Sequence, residues 1–251
     1  MNFETIQVDR TSEKILTVTL NRPRQFNALN RKMIEELLQV LDEPAEFLIF
    51  TGSGRAFCFG ADFSEFQDRS SLRVVLGLFQ TLILNLYDCS MITIACLNGF
   101  ATGAGLDLAL ACDFRIAAEK IKLAEAYISM GLVPDGGGTY VLQQLIGMPR
   151  ALEMLLTGDA IAAEEALNIG LINKVVSQAD LLPAANGFIQ QLASKPYTAR
   201  KLIKRLVKNR PNNLLDALSF EREAQLVCFN DPDHLRLAEE FNAKAQRRKD
   251  K

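Results

Sequence analysis

The chain has 251 residues, 49% of them hydrophobic, with 28 Lys and Arg against 30 Asp and Glu and a single histidine. That length and apolar content suit one medium-sized globular domain with a helical extension, and a net charge of −2 excludes a globally basic nucleic-acid surface. One histidine excludes an HExxH zinc site, and no apolar run reaches membrane-spanning length.

The first residues, Met1-Asn2-Phe3-Glu4-Thr5, lack a basic start and an apolar stretch, so no secretory signal is expected and a cytoplasmic location is. Ile15–Leu20 alternates β-branched residues and leucine as a strand does. Asn30 is a candidate cap for a helix whose Met33, Ile34, Leu37, Leu38 and Leu41 recur at helical spacing. Residues 47–51 read as a short buried strand, 70–86 as an amphipathic helix, and Ile92–Leu97 as another strand. A helix of small residues follows over 103–112 and a strand over 113–117. This alternation predicts an α/β architecture with right-handed crossovers. Pro134 and Gly136-Gly137-Gly138 mark a change to mostly helix. Pro196 starts a helical stretch, Pro211 punctuates it, and Asp231-Pro232 opens a last helix toward a basic tail. Leu214, Leu215, Leu218 and Leu226 in this region are too many for an isolated tail. Lys201, Lys204, Arg205, Lys208 and Arg210, with Arg247, Arg248, Lys249 and Lys251, read as solvated helix faces; a local site for a nucleotide phosphate is the sharper alternative. Cys58, Cys89, Cys96, Cys112 and Cys228 form no CxxC and read as small, mostly buried hydrophobes of a reducing compartment.

Two glycine-punctuated turns stand forty-three positions apart: Ala56-Phe57-Cys58-Phe59-Gly60-Ala61-Asp62 and Asn98-Gly99-Phe100-Ala101-Thr102-Gly103-Ala104-Gly105-Leu106-Asp107. Each follows an apolar run and precedes a segment that can be helical. Glycine lets a backbone approach a ligand closely, and the first amides of a helix are free donors with a favourable dipole. Two such amides aimed at one point make an oxyanion hole. The plainer alternative is that these glycines merely let strands turn into helices.

These residues resemble the crotonase family, the enoyl-CoA hydratases and isomerases. The resemblance runs from Leu20-Asn21-Arg22-Pro23 and Asn27-Ala28-Leu29, through 57–62, 98–113 and Gly131-Leu132-Val133-Pro134 on to Thr139, to Leu156-Thr157-Gly158 and 166–176. It implies a spiral of ββα units, an acyl-CoA-binding core over 1–195, and a helical region over 196–251 that builds a homotrimer or a dimer of trimers. It also implies that the amides of Ala61 and Ala104, in the turns shaped by Gly60 and Gly103, hold the acyl thioester oxygen. The family commonly has glycine where this chain has Ala104, whose methyl narrows the pocket but leaves the donor. Arg22 and Arg24 would lie near the coenzyme A phosphates, and the backbone of Phe57 and Phe59 near its adenine. Coenzyme A is then the substrate's handle, and no metal or redox cofactor is called for.

Asp107 lies among Leu106, Leu108, Leu110 and Ala111, where a carboxylate is costly unless paired or functional and its pKa rises toward the range useful for proton transfer. The plainer reading is a first-turn acid favoured by the helix dipole. Hydratase-type relatives usually carry glutamate there, one methylene longer. Tyr127 falls where they carry a second catalytic glutamate, and a phenol of pKa about 10 replaces it poorly. Glu125 is two positions away and shares the face of Tyr127 on a strand but not on a helix, and Leu123-Ala124-Glu125-Ala126-Tyr127 leaves that open. Asp135, before the triple glycine, can cap the helix that starts near Gly137. By resemblance it stands where several isomerases, including dienoyl-CoA and ring-opening types, keep a proton-shuttling aspartate, and where dehalogenase relatives keep a nucleophile.

Acids at the first and third family positions and a tyrosine at the second favour an enoyl-CoA double-bond isomerase. The alternatives are an enoyl-CoA hydratase, a lyase working through Asp107 with Glu125 or a water-bridged Asp135, and a non-catalytic acyl-CoA-binding member. His234 has no G-x-S-x-G partner, Gly103-Ala104-Gly105 lacks the third glycine of a dinucleotide loop, and no GK[ST] occurs.

Overall fold

The computed structural model describes residues 3–65, 69–209, 211 and 213–249. The chain forms two compact units, Met1–Gly187 and Phe188–Lys251.

In the first unit, β1 (Ile6–Ser12) pairs antiparallel with β2 (Ile15–Leu20), whose Leu16, Val18 and Leu20 point into the core as the alternation predicts. α1 (Arg31–Leu41) begins at Asn30, whose side-chain oxygen accepts the Met33 N–H at 2.9 Å and so satisfies one orphan amide of the first turn. Next come β3 (Phe47–Gly52), β4 (Ala56–Cys58) and α2 (Arg69–Asp88), which buries Val75, Phe79, Leu82 and Leu86 on one stripe. β5 (Ile92–Leu97), β6 (Phe100–Thr102) and α3 (Ala104–Ala111) form the next repeat, followed by β7 (Phe114–Ala118), β8 (Lys122–Ala124), a 3-10 turn at Ala126–Met130 and α4 (Gly138–Thr157). α4 kinks at Gly147, just before Pro149. β9 (Ile161–Ala162), α5 (Ala163–Asn168), β10 (Lys174–Val176) and α6 (Leu181–Ala193) complete the succession toward the second unit.

The strands sort into two sheets, ordered β1-β2-β3-β5-β7-β10 and β4-β6-β8-β9. In each repeat the first strand joins the larger sheet and the second joins the smaller one, with parallel neighbours from β2 through β10 and from β4 through β8. This is the ββα spiral that the resemblance implies. β3 and β5 are covered on both faces and are therefore apolar almost throughout.

Arg115 anchors α3 from its far end. Its buried guanidinium donates to the carbonyls of Ala109, Cys112 and Leu171 at 3.3, 2.9 and 2.8 Å. A cation there satisfies the last carbonyls of α3 and complements its dipole, which holds the opposite terminus in place.

The second unit contains α7 (Tyr197–Asn209), α8 (Leu214–Phe229) and α9 (Pro232–Lys249). Asn213 caps α8 by accepting the Asp216 N–H at 3.0 Å, and the Thr198 hydroxyl donates to Asp231 at 2.6 Å. His234 packs its ring against Phe229 with centroids 4.8 Å apart. Arg210, Lys251 and the side chains of Arg247, Arg248 and Lys249 lie outside the described residues. Cys58, Cys96 and Cys112 are buried, and Cys89 and Cys228 are half-buried. No described helix is long and apolar enough to cross a membrane, and no described cluster of His, Cys, Asp and Glu has a metal-holding arrangement.

Candidate active site

The two glycine turns abut. Gly60 has φ 103° and Gly103 has φ 49°, backbone that side-chain-bearing residues rarely adopt. A Cβ on Gly60 would stand 3.2 Å from the Thr102 carbonyl and 3.9 Å from the Ala104 nitrogen, so the first turn lies directly against the second. The Thr102 hydroxyl ties them further by donating to the Phe59 carbonyl at 3.0 Å. Ala104 is the first residue of α3, where its N–H has no intrahelical acceptor. Ala61 faces Leu29 in a parallel bridge made by Leu29 N–H to Gly60 O and Asp62 N–H to Leu29 O, both 2.8 Å. Strand alternation turns the Ala61 N–H away from Leu29. Two free-standing backbone donors are thus presented by adjoining turns.

Asparagines hold the first turn. Asn27 donates to the Ser53 and Ala56 carbonyls, and Asn98 accepts the Gly52 N–H and donates to the Gly54 carbonyl. Arg22 pairs with Asp62 at 2.8 Å and donates to the Ala28 carbonyl at 2.7 Å, so its guanidinium buttresses the first glycine turn. Burial works against ionised Asp62, but Ser64 and Arg22 outweigh it and hold that carboxyl below its ordinary range. Arg24 is exposed, Phe57 is buried, and Phe59 is 55% exposed with its ring 5.9 Å from that of Phe26.

The acids form one cluster. Asp107, in the first turn of α3, is fully buried. Its Oδ2 accepts the Tyr127 hydroxyl at 2.6 Å and the Gly136 N–H at 3.2 Å. The Tyr127 hydroxyl also lies 2.9 Å from Asp135 Oδ1, and its ring lies over Gly103, 3.6 Å from where a Cβ would be. The Asp135 carboxyl faces Tyr127 instead of capping α4; that helix has Gly137 at its N-cap and no side-chain cap. Glu125 precedes the 3-10 turn, on neither a strand nor a helix, and still reaches the cluster. A Cβ on Gly138 would stand 2.5 Å from Asp107 Oδ1 and 3.1 Å from Glu125 Oε1, so both carboxyls crowd that glycine.

Burial pushes Asp107 up to about 7, opposed by the Tyr127 hydrogen bond and reinforced by the charge of Asp135. Burial raises Asp135 as well, against the same phenol hydrogen bond. Glu125 is fully buried, and neither of its oxygens has a hydrogen-bond partner among the described residues. Burial, then the charges of Asp107 and Asp135, hold it well above its ordinary value. Burial and the two aspartates raise Tyr127 too, which keeps it a neutral phenol. Asp135 and Tyr127 are half-buried, and Asp135 is therefore the least buried carboxyl of the three.

The structure gathers the candidates Asp107, Tyr127 and Asp135 into one cluster and sets Ala61 and Ala104 in adjoining turns; sequence reading misses Gly136 as a donor to Asp107. It also misses Gln80 of α2, which donates to the Asp135 carbonyl at 3.3 Å. Gly136 stood in plain view in the triple glycine; Gln80 carried no local signal.

The family model for enoyl-CoA hydratase/isomerase matches residues 10–247. The chain is 37% identical over 242 residues to a crotonyl-CoA hydratase of Syntrophomonas wolfei, covering 93% of both sequences. It is 34% identical over 242 residues to a 1,2-epoxyphenylacetyl-CoA isomerase of Escherichia coli, covering 92% of both. Among solved structures, an enoyl-CoA hydratase from Bacillus anthracis superposes with a TM-score of 0.90 at 33% identity, covering 96% of this chain and 97% of that one. The order of motifs, the two-sheet spiral and these likenesses agree: the chain belongs to the enoyl-CoA hydratase/isomerase family, within the crotonase superfamily.

Proposed function

We propose that this member shifts a double bond in an enoyl-CoA thioester, with Asp135 as the proton-transferring group. The observation that carries the reading is the burial order of the cluster: Asp107 and Glu125 are fully buried, while Asp135 retains exposure. The thioester oxygen sits between the Ala61 and Ala104 amides. As Asp135 takes a proton from C2, the charge spreads onto that oxygen and along the conjugated chain. Asp135 then returns a proton at C4, and the double bond has moved into conjugation. Losing one donor of such a pair costs roughly 3–4 kcal/mol of barrier. Phe59, exposed beside Phe26, and Arg24, exposed on the same segment, are the coenzyme A contacts in this reading.

The isomerase name of the Escherichia coli relative supports this reading, and the hydratase names of the Syntrophomonas and Bacillus proteins favour a second one, addition of water. Hydration calls for a second group to act on water, and Glu125, fully buried away from any substrate, is poorly suited to that role. Assays of the wild type with crotonyl-CoA and with a 3-enoyl-CoA decide between them. Faster hydration than isomerisation overturns the isomerase reading, and no turnover of either favours a binding protein. Asp135→Asn keeps size but cannot accept a proton, and the expected loss in turnover is about 10²–10⁴-fold.

The second unit supports assembly as a trimer or dimer of trimers: Leu214, Leu215 and Phe229 are exposed by 73%, 77% and 59%. Light scattering that gives a monomer at micromolar concentration overturns this.

A further inference from the structure

We propose that Tyr127 is a proton relay between Asp135 and Asp107, linking the half-buried carboxyl to the fully buried one through three oxygens. Its use in catalysis rests on the isomerase reading; the geometry behind it does not.

A phenol has one proton to donate. The Tyr127 oxygen is within hydrogen-bond distance of two carboxyl oxygens, 2.6 Å from Asp107 Oδ2 and 2.9 Å from Asp135 Oδ1. Tyr127 donates across one contact. The other is a hydrogen bond when a carboxyl proton is donated back to the phenol oxygen. The two aspartates therefore share one proton, in two arrangements. In the first, Asp107 is neutral and donates to Tyr127, which donates to ionised Asp135. In the second, Asp135 is neutral and donates to Tyr127, which donates to ionised Asp107. Passing between them breaks the carboxyl O–H of one aspartate as its proton joins the phenol oxygen, while the phenol proton joins the other aspartate. Charge is conserved and no outside reactant is needed.

Burial makes the relay necessary. Asp107 is 0% exposed, so its proton has no direct path to water. Its Oδ2 otherwise meets the Gly136 amide, which donates but does not carry a carboxyl proton, and its Oδ1 has no hydrogen-bond partner among the described residues. Glu125, the other titratable group close to Asp107, is equally buried and opens no path to water. From α2 the groups nearest the acids are Phe79 and Gln80, neither of them titratable. Tyr127 is thus the route by which Asp107 exchanges its proton. The first arrangement presents Asp135 as a base, ready to take the substrate proton, and the second presents it as an acid. Once Asp135 holds the substrate proton both aspartates are neutral, and the base form returns when Asp135 gives that proton to C4; the relay sets which arrangement the resting site holds.

Infrared spectroscopy of the full chain at about pH 6, where Asp107 stays largely protonated, tests this on transfer to D2O. The expectation is a neutral-carboxyl stretch that Asp107→Asn removes, separate from the one that Glu125→Gln removes. In the wild type the Asp107 stretch shifts to its deuterated position within the mixing time. In Tyr127→Phe, which keeps the ring over Gly103, it shifts about tenfold more slowly or worse; Tyr127→Leu carries the same expectation if the phenylalanine variant does not fold. Equal rates in wild type and variant overturn the relay, as does a spectrum in which no neutral stretch belongs to Asp107 or Asp135. A wild type that exchanges through Tyr127 yet isomerises no 3-enoyl-CoA sinks the functional reading alone; one that isomerises but exchanges without Tyr127 sinks the relay alone.

Discussion

Asp107→Asn separates the cost of burying a carboxylate from everything else the site does. In the fold Asp107 titrates at about 7 instead of 3.8, chiefly because burial penalises its charge. A raised acid binds its proton more tightly in the fold than in the unfolded chain. Its stability contribution is therefore lost as pH rises from about 4 to about 7, and stays lost above that. At 1.36 kcal/mol per unit the full loss is about 4 kcal/mol, of which about 3 kcal/mol falls between pH 5 and pH 8. Asparagine has no charge to bury, and its amide oxygen can still accept from Tyr127 and Gly136. Removing the charge also eases ionisation of Glu125 and Asp135, which acts in the same direction. Urea unfolding of both proteins at about pH 5 and about pH 8, at one protein concentration, reads the difference as a change in midpoint at constant m. The wild type should lose stability relative to the variant as pH rises. Parallel stabilities at the two pH values would refute the claim that Asp107 is a buried acid titrating near neutrality.

Other outcomes follow from the same geometry. Ala104→Pro removes an N–H at the first position of α3, where proline is tolerated, so turnover should fall about 10²–10³-fold while the melting temperature holds. Asp135→Asn should lower turnover with little change in melting temperature, because no helix cap is lost; a large thermal shift instead of a kinetic one assigns Asp135 a structural role. Gly105→Ala drives a Cβ into the Cys58 carbonyl between the two turns, and a loss of about 1–3 kcal/mol is expected in chemical denaturation. Burial favours the protonated form of Glu125, so Glu125→Gln should alter stability and the pH profile between about 6 and 8 little; a shifted profile identifies Glu125 as ionised in the working enzyme.

What the sequence discloses is what local rules govern. Asn30 as a cap, the alternation of Ile15–Leu20 and the one-sided stripe of α2 are each set within a few residues, and each stands as read. The second sheet escaped because β4, β6 and β8 have three residues apiece, too few for a period to show, and their surroundings read as turns. β1 escaped because most of its residues are polar and exposed. In the candidate site, the turns at Ala61 and Ala104 were visible because their backbone needs positive φ and glycine marks it. The meeting of Tyr127, Asp135 and Glu125 around Asp107 was not, since it depends on how the turn after β8 and the loop before α4 fold back over α3. Arg22 shows the same gap: nothing within a few residues marks Asp62, forty positions on, as its ion-pair partner.

Tyrosine at the second acid position changes what the site can do, through volume as much as through pKa. Its ring covers Gly103 and its hydroxyl reaches over Asp107, closing that carboxyl off from solvent. Glu125 is equally buried, and burial with the charges of its neighbours holds its carboxyl above the ordinary range. Three carboxyls thus reduce to a single group with access to a substrate, supported from behind by a phenol and a buried acid that share its proton. A site with one accessible acid is suited to chemistry that takes a proton from one carbon and gives it back at another. Adding water across a double bond calls for a second accessible group to hold and activate that water, and Tyr127, which the resemblance puts at the second acid position, instead shields Asp107.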